Sequence, residues 1–172
     1  GGLVCKGVHG EAVLEALHAL GLRSLGLVWS RPNRYETGVP FAFPGSPDVG
    51  PGLTAAGHAL VREADRLRMI VDVSHLNEAG FWDVLATSER PVVASHSNVH
   101  RLCPSPRNLR DAQLDALAER DGLVGLNFAV AFLREDGAHD GDTPLDVLAR
   151  HLDALLERLG EDRVAFGSDF DG

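Results

Sequence analysis

Five short apolar runs, separated by amphipathic helical segments, limit the fold of this chain more than any other feature. Apolar residues fill these runs instead of alternating with polar ones, a pattern typical of strands buried on both faces. With helices between them, they predict an α/β fold with a parallel sheet and right-handed crossovers. Two architectures remain open: a complete doubly wound sheet of flavodoxin type, and five units of a (β/α)8 barrel, whose full length is about 250 residues. The runs are RSLGLVW, MIVDV, PVVAS, LVGLNF and RVAFGS.

Helix boundaries follow from capping residues and from the helical period of apolar positions. Glu11 to Leu20 forms the first predicted helix, while Thr54, Asn77 and Asp111 can cap the next three. Thr143–Pro144 predicts a capping-box start for the last helix, with proline at its first helical position. The apolar stripe of that last helix comprises Leu145, Leu148, Leu152, Leu155 and Leu159.

A long connection follows the first predicted strand. Residues 30–52 contain five prolines and four glycines, which is incompatible with a regular helix or strand. Long loops inside compact domains are usually functional or mobile. We therefore expect this segment to contribute to a site.

Three of the predicted strands end in a small residue followed by a titratable group. His75, His96 and Asp169 occupy these positions. Parallel α/β folds place their sites at the carboxyl ends of the strands. One strand-plus-helix unit separates the two histidines, so we expect them on neighbouring strands about 5 Å apart. Two neutral imidazoles suit zinc, but a catalytic zinc normally has three protein ligands, so a further ligand is expected.

The remaining polar candidates are weaker or undecided. Arg107, followed by Asn108, lies in a loop over the same rim, where a guanidinium could hold an anionic end of a substrate. Asp72 is compatible with a buried acid beneath the site and with a surface position. The other histidines are expected in solvent or in loops: His18, His58, His139 and His151 on solvated positions, His9 and His100 in loops.

Composition limits the classes of partner. The formal net charge is −9 and the basic residues are scattered, which argues against nucleic acid or an anionic membrane as a partner and favours small molecules or proteins. Cys5 and Cys103 are too few for a disulfide framework, and no bridge is expected. No apolar run reaches the roughly 18 residues that a membrane-spanning helix requires.

From about Val13 to Gly172, the chain resembles the membrane (renal) dipeptidase family, which are zinc exopeptidases with an amidohydrolase-like (β/α)8 barrel. DVSH, followed at this interval by SHS and RN, is the most specific part of the resemblance. The matching segments are GLTAAGHALVREADRLRMIVDVSHLNEAGFWDVL, PVVASHSNVHRLCPSPRNLRD, GLVGLNF and VAFGSDFDG.

The resemblance implies a role for each matching residue. His75 and His96 correspond to the two histidine ligands of the second zinc, and Arg107 to the clamp on the free carboxylate of a dipeptide, in a loop supported by Asn108. Asp169 corresponds to the acid that moves a proton at the reaction centre. In the intact enzyme, the resemblance implies two zinc ions, a dipeptide substrate and, as an open question, a homodimer.

Parts of the family pattern are missing. The HxD motif that supplies ligands of the first zinc is not found, and the bridging glutamate would precede Gly1, since Glu11 begins a helix. The segment from Trp29 to Asn33 stands where the family has a substrate-binding histidine. We therefore expect residues 1–172 to be a partial dipeptidase barrel domain, without its N-terminal strands and extreme C-terminus. Such a piece supplies ligands mainly for one zinc and is expected to be inactive alone.

Three other interpretations stay open. One is a different amidohydrolase-like metal hydrolase of lactonase or phosphotriesterase type, for which a carboxylate clamp has no purpose. Another is a non-catalytic, flavodoxin-like binding domain in which the histidines are incidental. The third is a degenerate homologue kept for a structural role. For the compartment, the cytoplasm is favoured without excluding an export signal upstream of Gly1.

Overall fold

A computed structural model describes residues 10–170 as one sheet of five parallel strands, flanked by five α-helices. Four strands are shorter than the apolar runs that predict them, and β3 has the length of its run but begins two residues later. The strands are β1 (Ser24–Gly26), β2 (Ile70–Asp72), β3 (Val93–Ser97), β4 (Leu123–Leu126) and β5 (Val164–Phe166). The helices are α1 (Gly10–Ala19), α2 (Ala55–Arg66), α3 (Glu78–Thr87), α4 (Asp111–Glu119) and α5 (Leu145–Leu159), with short 3-10 turns at Val130–Phe132 and Glu161–Arg163.

The order of the strands decides between the two predicted architectures. In the sheet the order is β1-β2-β3-β4-β5, and each neighbouring pair is parallel. A flavodoxin-type sheet reverses direction at a switch point, with an order such as 2-1-3-4-5. Sequential order is the connectivity of a (β/α)8 barrel, in which consecutive strands lie side by side. The fold therefore consists of five consecutive strand–helix units of barrel type.

The core lies between the strands and the inner faces of the helices. Val71, Ala94 and Val124 in the strands pack against buried helical residues that include Phe81 and Leu114. Burial of aliphatic side chains contributes about 1.5–3 kcal/mol each and is the main source of stability for such a sheet. Within residues 10–170, none of the helices has the length and apolar character needed to cross a bilayer.

The predicted helix starts are correct for α2 and α3. The Thr54 hydroxyl accepts from the Gly57 N–H, and the Asn77 side chain accepts from the Gly80 N–H at 2.7 Å. Each cap satisfies one of the free N–H groups of the first turn, which is why these residue types are preferred there.

The predictions for α4 and α5 are wrong by one position. Arg110, not Asp111, occupies the N-cap of α4, where its backbone N–H donates to the Gln113 side chain. Pro144 is the N-cap of α5 and has extended dihedrals, so it is not the first helical residue. Leu145, predicted to face inward, is 81% exposed because it is the first residue of α5, before the part of the helix that packs on the core.

The connection between β1 and α2 has no helix or strand from residue 27 to residue 54 and packs over the carboxyl ends of the strands. Its backbone is fixed at several points. Val39 N–H donates to the His75 carbonyl at 3.0 Å, and Gly45 N–H donates to the Pro104 carbonyl at 2.8 Å. These bonds position the loop beside the strand ends where the candidate residues lie.

Candidate active site

The carboxyl ends of β2 and β3 bring His75 and His96 into direct contact. Their Nε2 atoms are 2.9 Å apart, and their ring centroids are 5.0 Å apart. Both side chains are half-buried. The predicted juxtaposition of these two residues is therefore observed.

His75 is held in an unusual backbone conformation. Its φ of 71° lies in the left-handed region, which costs a non-glycine residue about 1 kcal/mol or more. Two contacts from the β1–α2 connection stabilise it: Val39 N–H binds its carbonyl, and the Ser30 hydroxyl lies 3.0 Å from its Nδ1. The sharp turn after β2 directs the imidazole toward His96.

Asp72, which the sequence left undecided, lies beneath the two histidines. Its Oδ1 accepts from the backbone N–H groups of Ser74 and Ser95, each at 3.0 Å. Its Oδ2 accepts from the Ser95 hydroxyl, which in turn lies 2.7 Å from Nδ1 of His96. The acid thus connects the ends of the two strands that carry the histidines.

The surroundings of His75 keep its imidazole neutral. Burial, the nearby charge of Arg107 and the electrostatic effect of His96 together lower the pKa of His75 to about 2, with burial as the largest cause. Only a neutral imidazole has a free lone pair for a metal ion.

Arg107 is buried directly behind the histidine pair. Its side chain donates from Nη2 to the His96 carbonyl at 3.1 Å, and its guanidinium carbon lies 5.6 Å from the centre of the Phe132 ring. Burial lowers the pKa of Arg107 to about 10, against an opposing effect of Asp169 and Asp72, so the group stays cationic at neutral pH. Its Nε is buried without a hydrogen-bond partner in the described part of the chain.

Asn108 connects the loop that carries Arg107 to neighbouring backbone groups. Its Nδ2 donates to the carbonyls of Cys103 at 2.9 Å and Phe132 at 2.8 Å. Cys103 is buried as a free thiol, and burial raises its pKa to about 11. This thiol is therefore protonated at neutral pH and is not a metal ligand there.

Asp169 follows β5 and faces the same rim. Like His75, it has a positive φ, 62°. Its Oδ2 accepts from Asn127 Nδ2 at 3.1 Å, and the Asn127 backbone N–H donates to Asn98 Oδ1 at the same distance. Electrostatic contact with Arg107 connects Asp169 to the histidine side of the site.

The donor set fits part of a metal site. Two imidazole nitrogens on a tetrahedral zinc are separated by about 3.3 Å, given zinc–nitrogen distances of about 2.0–2.1 Å. The observed Nε2 separation of 2.9 Å is close to that value and needs only a small opening. No group of three or more His, Cys, Asp or Glu side chains suited to a metal is found within residues 10–170. His75 and His96 are therefore two candidate ligands, and the described residues place no third such side chain beside them.

Aromatic rings enclose the histidine pair on the side of the β1–α2 connection. Trp29 and Phe41 are 5.2 Å apart, and both lie within 6.4 Å of the His75 ring. Phe132 stacks on Phe41 at 6.1 Å and extends this wall to Arg107. More than half of the Trp29 and Phe41 surfaces is exposed, which is unusual for large apolar rings and is typical of binding surfaces.

One of the other histidines contradicts its prediction. His151 is only 1% exposed, because α5 turns it inward beside Leu155. Its Nδ1 accepts from the Val99 N–H at 3.1 Å, and its Nε2 donates to the Leu133 carbonyl at 2.9 Å. His100 binds the Gly45 carbonyl and His58 the Thr87 hydroxyl, so both have structural roles. Glu11 heads α1, while His9 and Cys5 lie outside the described residues.

Several residues of the site were not predicted from the sequence. Ser30, Ser95, Asn98 and Asn127 are all hydrogen-bonded within it. Asn127 follows β4 as His75 follows β2, so the strand-end rule could have identified it had neutral side chains been considered. The role of Ser95 depends on side-chain reach between two strands, which spacing does not predict.

Comparison with known proteins places these observations in a family. The family model described as membrane dipeptidase (peptidase family M19) matches residues 8–172. An uncharacterized protein from the pqqA 5′ region of Klebsiella pneumoniae is 55% identical over 159 residues, which are 92% of this chain and 59% of that protein.

Two solved structures resemble the fold closely. A metallo peptidase from Rhodobacter sphaeroides, liganded with a phosphinate mimic of the dipeptide L-Ala-D-Ala, is 57% identical and superposes with a TM-score of 0.92. The alignment covers 93% of this chain and 46% of that one. An amidohydrolase from Pseudomonas aeruginosa is 26% identical, with a TM-score of 0.81 and the same two coverages. The chain thus spans about half the length of the proteins it matches.

Proposed function

This chain belongs to the membrane dipeptidase family, and we propose that its residues form part of the active site of a zinc-dependent dipeptidase. The observation that carries the proposal is the contact of His75 and His96 through their Nε2 atoms, with the buried Arg107 bonded to the His96 carbonyl. In this proposal, residues 1–172 are part of a (β/α)8 barrel domain.

His75 and His96 would hold the metal ion through their Nε2 atoms. A bound zinc ion supplies Lewis-acid polarisation of the scissile carbonyl and lowers the pKa of water toward neutrality. The chain contributes to this chemistry by keeping the His75 imidazole neutral through burial and by fixing the orientation of both rings. Loss of a residue that hydrogen-bonds a metal ligand typically weakens metal binding about tenfold to hundredfold.

Arg107 would bind the free carboxylate of the dipeptide. The guanidinium is 3% exposed, remains charged, and has an Nε without a partner among the described residues. Asp169 and Asp72 act on this buried charge through space, and an incoming carboxylate would add bidentate hydrogen bonds to it. Because this contact uses the free C-terminus, it leaves little room for a substrate that continues beyond the bound C-terminal residue.

Asp169 would move a proton between the reaction centre and the leaving amine. One carboxylate oxygen accepts from Asn127, which fixes the side chain. The other oxygen is then oriented to take up and release a proton, as a general acid–base group requires. The exposed rings of Trp29 and Phe41 would cover the substrate and exclude bulk water.

A dipeptide compared with its C-terminal amide tests the proposal in the full-length natural protein. The panel includes L-Ala-D-Ala, since the similar Rhodobacter sphaeroides protein binds a mimic of it. We expect kcat/KM for the free acid to exceed that for the amide by a factor of about 100 or more, the effect of one buried charge-assisted pair. Arg107→Met should remove this preference.

A nearby arginine provides the matched control. Arg110 lies in the same loop but pairs with Glu78 at 2.9 Å and with the Ser46 hydroxyl at 2.6 Å. Arg110→Met should keep the preference for the free acid. Equal hydrolysis of acid and amide by the unaltered protein would contradict the carboxylate clamp, and hydrolysis of lactones or phosphotriesters instead of dipeptides would favour the other amidohydrolase-like class.

A further inference from the structure

We propose that Asp72 and Ser95 form a positioning pair that fixes the tautomer of His96, so that its Nε2 presents a bare lone pair to the site. This inference rests on the proposed metal-binding function of the histidine pair. Neither residue is expected to touch substrate or metal. Their effect is exerted through the His96 ring.

The first observation is that the Asp72 carboxylate accepts backbone hydrogen bonds where the direct pairing of β2 with β3 ends. The two strands are in register only at Asp72 and Val93, followed by one bond from Val73 N–H to the Val93 carbonyl at 2.8 Å. Beyond that point, the N–H groups of Ser74 and Ser95 both turn to Asp72 Oδ1. The strand ends are therefore joined through a side chain, directly below the residues that carry the imidazoles.

The second observation concerns the single hydroxyl hydrogen of Ser95. The Ser95 Oγ lies in a short hydrogen bond with Asp72 Oδ2 and 2.7 Å from His96 Nδ1. A carboxylate only accepts hydrogen bonds, so the hydroxyl hydrogen goes to Asp72. The Ser95 oxygen can then only accept from His96, which requires a hydrogen on Nδ1. In its neutral form, the His96 ring then has no hydrogen on Nε2, the atom 2.9 Å from His75 Nε2.

The contact between the rings completes the same assignment. If His96 Nε2 is bare, the 2.9 Å contact with His75 Nε2 is a hydrogen bond donated by His75. His75 Nδ1 then accepts from the Ser30 hydroxyl at 3.0 Å. The two histidines thus have opposite tautomers, with His96 as the Nδ1–H form.

Packing around Ser95 holds the pair in place. A β-carbon added at Gly125 or at Gly167 would overlap the Ser95 carbonyl oxygen, so glycine at both positions leaves room for this backbone. The β3–β4 register shifts between Ala94 and Ser97, the stretch that contains Ser95 and His96. Such irregularities re-aim side chains next to sites. Ser95 is therefore fixed by packing as well as by hydrogen bonds.

Asp72→Asn separates this role from a simple structural one. The Asn carbonyl oxygen can keep the two backbone bonds, but its NH₂ group donates to Ser95 Oγ. The Ser95 hydrogen must then turn to His96 Nδ1, which forces the hydrogen of His96 onto Nε2. We expect the metal-free variant to show His96 as the Nε2–H form, read from ¹⁵N chemical shifts of the imidazole in histidine-labelled full-length protein.

Zinc affinity is the second measurement. By competition with a chromophoric chelator, Asp72→Asn should bind zinc about tenfold to hundredfold more weakly, the usual effect of losing a partner of a ligand. Ser95→Ala should also weaken zinc binding and leave the tautomer mixed, while Ser95→Thr keeps the hydroxyl and should restore both. Asp83→Asn is the matched control. The Asp83 carboxylate also accepts from a backbone N–H, that of Leu53, and within residues 10–170 it has no hydrogen bond to a histidine.

The outcomes separate this inference from the proposed function. The Asp72–Ser95 pair is supported if His96 is the Nδ1–H form in wild-type protein and the Nε2–H form in Asp72→Asn. If that result is obtained and zinc does not bind, the pair stands and the metal function fails. Zinc binding with an unchanged tautomer and affinity in Asp72→Asn overturns the pair and leaves the metal function intact. Circular dichroism of each variant shows whether the fold is retained, and Ser95→Ala provides the same test if Asp72→Asn does not fold.

Discussion

The half-buried pair His75 and His96 and the buried His151 use the same side chain in opposite ways. At the ends of β2 and β3, each imidazole has a hydroxyl at Nδ1 and turns its Nε2 toward the other ring. In α5, both nitrogens of His151 are bound to backbone groups, the Val99 N–H and the Leu133 carbonyl. The two environments also differ in burial, since His75 and His96 are half-buried and His151 is 1% exposed. The site histidines differ from His151 in that their ring nitrogens contact side chains, whereas both ring nitrogens of His151 bind backbone groups.

The largest expected effect is on metal binding. His75→Ala in the full-length protein removes one of the two ligands that we propose at these strand ends, and we expect zinc affinity to fall by a factor of about 1,000 or more and dipeptide hydrolysis to be lost. Zinc content after dialysis and a chelator competition titration measure this. His151→Ala should leave zinc content unchanged; an equal loss of zinc from both variants would remove the distinction between the two environments.

Stability should respond in the reverse order. His151→Ala leaves a cavity and two backbone groups without partners, and we expect a loss of about 2–4 kcal/mol in the free energy of unfolding. His75→Ala should cost less, since His75 is half-buried and has a strained backbone. Urea denaturation of the metal-free proteins compares the two values. A smaller loss in His151→Ala than in His75→Ala would contradict the structural role.

The pH dependence sharpens the comparison further. Burial lowers the pKa of His151 from 6.5 to about 4, and the charges of Arg150 and Arg101 act in the same direction. The unfolded chain therefore takes up a proton below about pH 6.5 that the folded protein excludes until about pH 4. The stability due to neutral His151 is complete above pH 6.5 and decreases as the pH falls through this window.

His151→Leu tests this dependence, because leucine has no titratable group. We expect the stability difference between wild-type and variant protein to shrink by about 2 kcal/mol between pH 7 and pH 5. Urea denaturation at both pH values in the metal-free state provides the comparison. A stability difference that is independent of pH would show that His151 is not kept neutral in the fold.

The smallest effect is expected at a histidine outside both environments. His58 is half-buried on α2, with Nδ1 2.7 Å from the Thr87 hydroxyl. His58→Ala should cost less than about 1 kcal/mol and leave zinc affinity unchanged. The same denaturation and zinc titrations apply, and a larger loss of zinc than in His75→Ala would show that the site extends to α2.

The sequence predicts the strands and the location of the site well, because both depend on local periodicity. Apolar runs give the five strands, and the carboxyl-end rule brings His75 and His96 together. Helix capping by Thr54 and Asn77 is also local and is confirmed. The choice between a flavodoxin-type sheet and a barrel depends on the spatial order of the strands. The order of helices and strands along the chain fits both architectures.

The wrong predictions concern residues whose burial and partners are set by tertiary contacts. His151 is three residues from Leu148 and four from Leu155, so the helical period permits burial, but a polar side chain at such a position reads as solvated. Its burial becomes favourable only because the Val99 N–H and the Leu133 carbonyl come from other parts of the fold. The connection between Asp72 and Ser95 likewise depends on the separation of two strands, which sequence spacing does not specify.

We propose that His75 and His96 bind one metal ion between their Nε2 atoms. A crystal structure of the full-length protein with zinc, with anomalous diffraction recorded on both sides of the zinc absorption edge, can locate the ion. We expect an anomalous peak about 2.0–2.1 Å from both Nε2 atoms, with the two rings slightly further apart than 2.9 Å. Zinc bound elsewhere, with the two imidazoles still hydrogen-bonded to each other, would contradict it.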